Sequence, residues 1–375
     1  MKRSIEIASL ISILAFLIGC TESNPAPEEI NSNTHQPRYD LIKVDSIGIE
    51  WGDSNYVFGT IIDATYLNDN RIALLDMYRK KVLLYSADGE FISQVGSGGN
   101  GPGEFLLPFS ITALSNGGFA VSDIHAGKVV FFNSTGSLER ELIGFYPMAP
   151  MTIEQGVNGS IIGKRINYYY DEEEDRVLSG SEYCVWSDST EPDIVLLENY
   201  AVHQSNDRIS YSFTTSSDGM FFCCPSSDEE YAITGFSSEG DTAFYTEIPW
   251  EITAITQDEI EVARPGIIVP GPGSESTITE LSADWKPDSV RNAGLLVGVD
   301  RDSRIWVKTG RGETAAPVFD LFDSRDGSFI TSVETTLPAI ARYWNIEVSE
   351  SGILGWDHNP ADYPRVYILE LIEEN

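Results

Sequence analysis

Six side chains could act together by type and spacing: Arg79, Lys80, Lys81, His125, Lys128 and His358. The formal charge of the chain is −34, so a local positive sector would focus a small anion such as a carboxylated sugar or an acidic peptide terminus. Arg79 would then grip a carboxylate through two hydrogen bonds. The competing reading has Arg79, Lys80 and Lys81 merely offsetting neighbouring acids at a rim. Other chemistries have less to draw on. There are only 4 histidines, and His35 lies in a polar N-terminal stretch. No G-x-S-x-G elbow, H-E-x-x-H helix or P-loop occurs. The acidic runs Asp171-Glu-Glu-Glu-Asp175 and Asp300-Arg-Asp302 lack the alternating ligands and glycine of a calcium loop. They read as a solvated loop and a hairpin turn. Gly96-Ser-Gly98-Gly-Asn-Gly101 fits dinucleotide spacing, but Pro102-Gly103 and Pro108 forbid the helix that would meet a pyrophosphate. It reads as a turn between repeated units.

The elements that must position these residues come from a repeat. Between Gly96 and Gly144, four strand-length apolar segments alternate with turns at Ser115-Asn-Gly-Gly118, His125-Ala-Gly127 and Asn133-Ser-Thr-Gly136. That is a four-stranded antiparallel meander. The preceding unit carries the same landmarks, since Asp76 and Asp123 are 47 residues apart, as are Gly89 and Gly136. Turns before a central apolar strand recur near residues 68, 115, 158, 217, 300 and 350, giving six copies. The central strands are expected at 71–76, 119–123, 160–164, 220–224, 304–308 and 353–357. Asp76, Asp123 and Asp357 end theirs and read as acceptors for turn N–H groups. Trp306 and Trp356 read as packing residues between units.

Four-stranded units with a period of about 40 to 50 residues form a propeller, in which radial stacking covers both faces of each sheet. The expected fold is therefore all-β: a six-bladed β-propeller of four-stranded antiparallel blades. The last copy supplies three strands, and the orphan segment Leu41 to Ile47 is expected to complete it and close the ring. The propeller spans residues 39–375, with an insert at 251–290 between blades four and five, where Asp258 to Arg264 could form a short helix. In such a blade the turn between second and third strands lies on the same face as the connection to the next blade. That face collects the variable loops, and loops on a rigid scaffold are where function usually sits.

The N-terminus reads as an address. Lys2 and Arg3 precede an apolar run, Ile7 to Ile18, too short to span a bilayer. Leu17-Ile-Gly-Cys20 then resembles the lipobox of bacterial lipoprotein signals. Residues 1–19 are read as the signal peptide, Cys20 as the acylated residue, and residues 20–38 as a tether. The acidic balance argues against nucleic acid. The remaining cysteines, Cys184, Cys223 and Cys224, lack zinc-site spacing. They read as buried thiols, with one bridge from Cys184 to either neighbour left open.

Two segments carry a family resemblance: Gly99-Asn-Gly-Pro-Gly-Glu-Phe105 leading to Pro108, and Gly118-Phe-Ala-Val-Ser-Asp123, with Arg304-Ile-Trp-Val307 as another blade of the same kind. They resemble bacterial six-bladed propeller lipoproteins related to NHL repeats. The resemblance implies the architecture and no settled activity. The expected role is a lipid-anchored binding or scaffold module of the cell envelope, on its periplasmic or surface side. It would take a small anionic ligand, a glycan or a protein partner, and no cofactor is called for. The alternative is a metal-assisted lactonase- or lyase-like enzyme, with a divalent metal held by carboxylate and asparagine side chains in the central channel.

Overall fold

In a computed structural model, residues 38–203, 210–263, 289–358 and 360–374 are described. The expected signal peptide and most of the expected tether lie outside them, as does most of the insert. The chain enters through β1 (Arg38–Ile47) and then forms blade 1 from β2 (Ile61–Tyr66), β3 (Ile72–Asp76), β4 (Lys81–Tyr85) and β5 (Phe91–Val95). Blade 2 comprises β6 (Pro108–Ala113), β7 (Phe119–Asp123), β8 (Lys128–Phe132) and β9 (Leu138–Ile143). Blade 3 comprises β10 (Thr152–Gln155), β11 (Ile161–Asp171), β12 (Arg176–Trp186) and β13 (Ile194–Val202). Blade 4 follows with β14 (Tyr211–Thr215), β15 (Phe221–Pro225), β16 (Ala232–Phe236) and β17 (Thr242–Glu247), and then the helix α1 (Gln257–Val262). Blade 5 has β18 (Gly294–Val299), β19 (Arg304–Thr309), β20 (Val318–Asp323) and β21 (Phe329–Thr335). Blade 6 has β22 (Asn345–Ser349), β23 (Gly352–Trp356) and β24 (Val366–Glu374). Its fourth strand is β1, antiparallel to β24 from Arg38 opposite Glu374 to Ile47 opposite Val366. The fold is the expected six-bladed β-propeller, closed by its N-terminal strand.

Burial explains why the strands read as they do. The second strands β3, β7 and β15 are buried at every position because a neighbouring blade covers each face, so their sequences are apolar apart from the buried polar residues Asp76, Ser122 and Asp123 near their ends. The outer strand β5 alternates between half-buried and exposed positions along most of its length, the pattern of a sheet edge with one covered face. Each core is shared by two adjacent blades. Ala73, Leu75 and Val82 of blade 1 pack with Ile111, Phe119 and Val130 of blade 2. The circuit ends where Leu354, Trp356 and Val366 of blade 6 pack on Ile61, Leu74 and Tyr85 of blade 1. Trp306 and Trp356 sit in these inter-blade layers, as expected.

The landmark aspartates hold the turns. Buried Asp76 accepts the N–H groups of Gly59 (2.8 Å), Thr60 (3.1 Å) and Arg79 (2.9 Å). Asp123 accepts those of Leu106, Leu107 and Ala126 at 2.6, 2.9 and 3.0 Å. Each carboxylate ties the entry of its blade to the turn between second and third strands. The glycine-rich segment is an inter-blade turn. Glu104 folds back onto the Gly101 N–H at 2.8 Å, and Gly96 has φ +76° with the Phe105 ring where a Cβ would sit.

Two features go beyond the sequence reading. The β11–β12 hairpin of blade 3 is much longer than its counterparts, 11 residues a strand against 5 in β7 and β8 and 6 in β19 and β20. The insert is anchored through α1, where the buried Glu259 carboxylate receives Arg291 at 2.6 Å and Arg342 at 3.0 Å. Cys184, Cys223 and Cys224 are buried free thiols.

Candidate functional site

The first strand of each blade lines the central channel, and here the polar side chains stitch neighbouring blades together. Asp63 of β2 accepts the Ile111 N–H of β6 at 2.9 Å. Ser110 of β6 accepts the Ile153 N–H of β10 at 3.1 Å. Ser212 of β14 accepts the Leu296 N–H of β18 at 2.9 Å. The channel holds two cavities that share Glu154, Thr214, Val297 and Glu347 in their walls. One, of about 260 Å³, lies towards the first turns of the blades, with Asn68, Ser115 and Ser351 in its lining. The other, of about 490 Å³, lies towards the variable-loop face and reaches Lys164, Asn345 and His358.

Three carboxyl groups from blades 1, 3 and 6 meet electrostatically in this channel. Burial pushes Asp63 up to about 6, against the pull of the N–H groups it accepts. Burial, and then the charge of Asp63, push Glu154 up to about 8. Glu347 is raised well above the usual carboxylate range by burial, with Asp63 and Glu154 adding to the rise and a hydrogen bond from Thr65 opposing it. That bond runs from Thr65 Oγ1 to Glu347 Oε1 at 2.5 Å, while Glu347 Oε2 is buried with no protein partner. Burial thus favours the neutral form of all three carboxyl groups, most weakly at Asp63, whose backbone N–H partners oppose it. A neutral carboxyl both donates and accepts a hydrogen bond. Among the described residues, no three His, Cys, Asp or Glu side chains are grouped so as to hold a metal ion. At the channel mouth, Lys164 Nζ donates to Ser210 Oγ at 2.7 Å, and His358 Nδ1 is 3.1 Å from Asn345 Nδ2. Burial lowers the His358 pKa despite the Asp357 charge beside it.

The six residues expected to form an anion site fare differently. Arg79 and Lys80 lie in the β3–β4 turn and Lys81 opens β4 beside them, while His125 is exposed on the β7–β8 turn of the next blade. Lys128, however, is only 4 % exposed and pairs with Glu141 at 2.7 Å, also donating to the Gly101 carbonyl at 3.1 Å. Its charge is neutralised within blade 2 by this buried pair. Arg79 donates to the Val57 and Ser54 carbonyls, strapping down the segment before β2. Lys81 donates to Gln94 at 3.2 Å on the neighbouring strand. His358 belongs to the lining of the channel.

The sequence reading missed Asp63, Glu154 and Glu347. One signal was available: Ser110 follows Asp63 by 47 residues, the same spacing that links Asp76 to Asp123. A polar residue in that register of a first strand points into the ring.

No curated protein matches the chain. Among solved structures, it is similar to a Bacteroides fragilis protein named as exported, with 12 % identity, 89 % of this chain and 96 % of that one covered, and a TM-score of 0.50. A member of the DUF4221 family from Bacteroides vulgatus has 8 % identity, coverage of 90 % and 100 %, and a TM-score of 0.47. A gluconolactonase from Xanthomonas campestris has 10 % identity, coverage of 88 % and 99 %, and a TM-score of 0.44. At these identities the likeness is one of fold. A family model described as 6-bladed beta-propeller matches residues 29–233, and the chain belongs to that family, DUF5128.

Proposed function

We propose that this chain is a lipid-anchored binding propeller of the bacterial cell envelope, related to NHL-repeat propellers, that takes a small hydroxyl-rich guest such as a glycan fragment into its central channel. The anchor is an acyl group on Cys20, argued from Leu17-Ile-Gly-Cys20 and the short apolar run before it. The observation that carries the binding role is the pair of channel cavities whose shared wall brings together Glu154, Thr214 and Glu347, where burial favours the neutral form of both carboxyl groups. Neutral acids, together with the hydroxyls of Thr65, Thr112 and Thr214 around the cavities, match the paired donor and acceptor character of sugar hydroxyls. A cavity of about 490 Å³ is in the range of ligand pockets.

The test is calorimetry of the full chain in detergent against neutral oligosaccharides, sugar acids and polyamines, from pH 5 to 9. Neutral sugars should bind, and should bind more weakly as Glu154 ionises near pH 8. Glu154→Gln should keep the affinity and lose that pH dependence. Binding of polyamines alone, tightening as pH rises, would overturn the reading. Loss of fatty-acyl labelling in Cys20→Ser checks the anchor. A second reading, a lactonase- or lyase-like enzyme, is favoured by one fact: a carboxyl with its pKa near 8 is poised as a general acid. Turnover of a lactone that disappears in Glu154→Gln would move the assignment to catalysis.

A further inference from the structure

The long hairpin of blade 3 carries an interaction surface distinct from the channel. With six more residues than β7, β11 extends roughly 20 Å further along the strand direction. The pairing of β11 with β12, and of β12 with β13, runs out along this extension, with Leu178 opposite both Tyr169 and Val202. A three-stranded paddle results. Alternation along β11 places Tyr168 and Tyr170 on one face and Tyr169 on the other. These tyrosines are 51 %, 53 % and 59 % exposed, and Val177 and Val202 are each 41 % exposed. Both faces thus show aromatic and branched side chains to solvent, an exposed apolar surface of the kind that marks an interaction site.

Charge selects the occupant. The turn at the tip is Asp171-Glu-Glu-Glu-Asp175, whose one ion pair among the described contacts is Asp171 with Arg176 at 3.2 Å. Between blades 4 and 5 the same face carries a groove of about 820 Å³ whose lining includes Glu229, Glu230, Glu247, Glu251 and Glu313 against one cation, Arg311. A second copy of this chain would bring an equally acidic tip against this one. An anionic membrane surface would be repelled in the same way. A segment rich in lysine and arginine meets neither obstacle, and its cations can lie over tyrosine rings while pairing with the carboxylates. We propose that the blade 3 paddle is a docking site for a basic segment of a partner protein.

Fluorescence anisotropy of a labelled ten-residue peptide of alternating arginine and serine, titrated with the full chain in detergent, tests this. The triple variant Tyr168→Ser, Tyr169→Ser, Tyr170→Ser should weaken binding about 10- to 30-fold. Replacing residues 171–175 by their amides should weaken it further and flatten its salt dependence. Glu239→Gln with Asp241→Asn, on the opposite face, should change it less than twofold. Near-ultraviolet circular dichroism and the melting temperature report whether each variant folds. For folded variants, three results would overturn the proposal. These are equal losses at both faces, undiminished binding by the tyrosine variant, and equal affinity for an acidic peptide of the same length. So would sedimentation showing a dimer that the tyrosine substitutions abolish.

Discussion

Replacing Glu154 by glutamine should stabilise the protein, and increasingly so as pH rises. The folded-state pKa of about 8 stands above the ordinary value of 4.5, so the unfolded chain gives up this proton first. Between pH 4.5 and 8 the folded state binds more protons than the unfolded one. Stability is therefore full below the lower value and falls as pH climbs towards the upper. The full shift corresponds to a loss of ~5 kcal/mol once both states are ionised. Glu154 is only half-buried, and screening at such a site reduces the working figure to about 2 to 3 kcal/mol. Glutamine keeps the shape of the side chain and carries no titrating proton. Urea denaturation of both proteins at pH 5, 7 and 8 should show a difference under about 1 kcal/mol at the lowest pH, rising to about 2 to 3 kcal/mol at the highest. The corresponding rise in melting temperature is about 3 °C for a domain of this size. Parallel pH profiles for the two proteins would refute the idea that Glu154 is held neutral by burial and by Asp63.

Asp123→Ala removes the acceptor of three backbone N–H groups from a site with no solvent exposure. It should cost about 3 kcal/mol, with Asp123→Asn costing less. A urea midpoint unchanged by the alanine variant would show that the turn is held otherwise. Deleting residues 38–47 should lower the stability of the whole ring, because β1 supplies buried Leu41 and the Asp40 carboxylate that Thr336 grips through its N–H (3.0 Å) and hydroxyl (2.9 Å). The milder Leu41→Ala should cost about 3 kcal/mol. A calorimetric transition that splits, leaving the other blades at their original melting temperature, would argue against cooperative closure.

The amino-acid sequence by itself determined the repeat, and with it the architecture. Turns such as Asn133-Ser-Thr-Gly136, the mostly apolar second strands of blades 1, 2 and 4 and the 47-residue spacing of Asp76 and Asp123 are local or strictly periodic signals. A blade is a meander whose neighbours in space are neighbours in sequence, so a one-dimensional reading reaches it. The closing role of β1 was legible by counting strands. Tertiary structure alone decided where the charges act. Asp63, Glu154 and Glu347 stand on three blades and meet only because ring closure points the first strands at one axis, where burial raises their pKa values. Lys128 looked available in a turn, but pairing of β8 with β9 brought Glu141 to it. The length of the blade 3 hairpin followed the same logic. Its tyrosines and acids were visible in the chain, but cross-strand pairing from Asn167 opposite Gly180 out to Asp171 opposite Arg176 made them a projecting sheet. Electrostatic energy depends on distance through space and on exclusion of water, and neither is encoded at any single position of the chain.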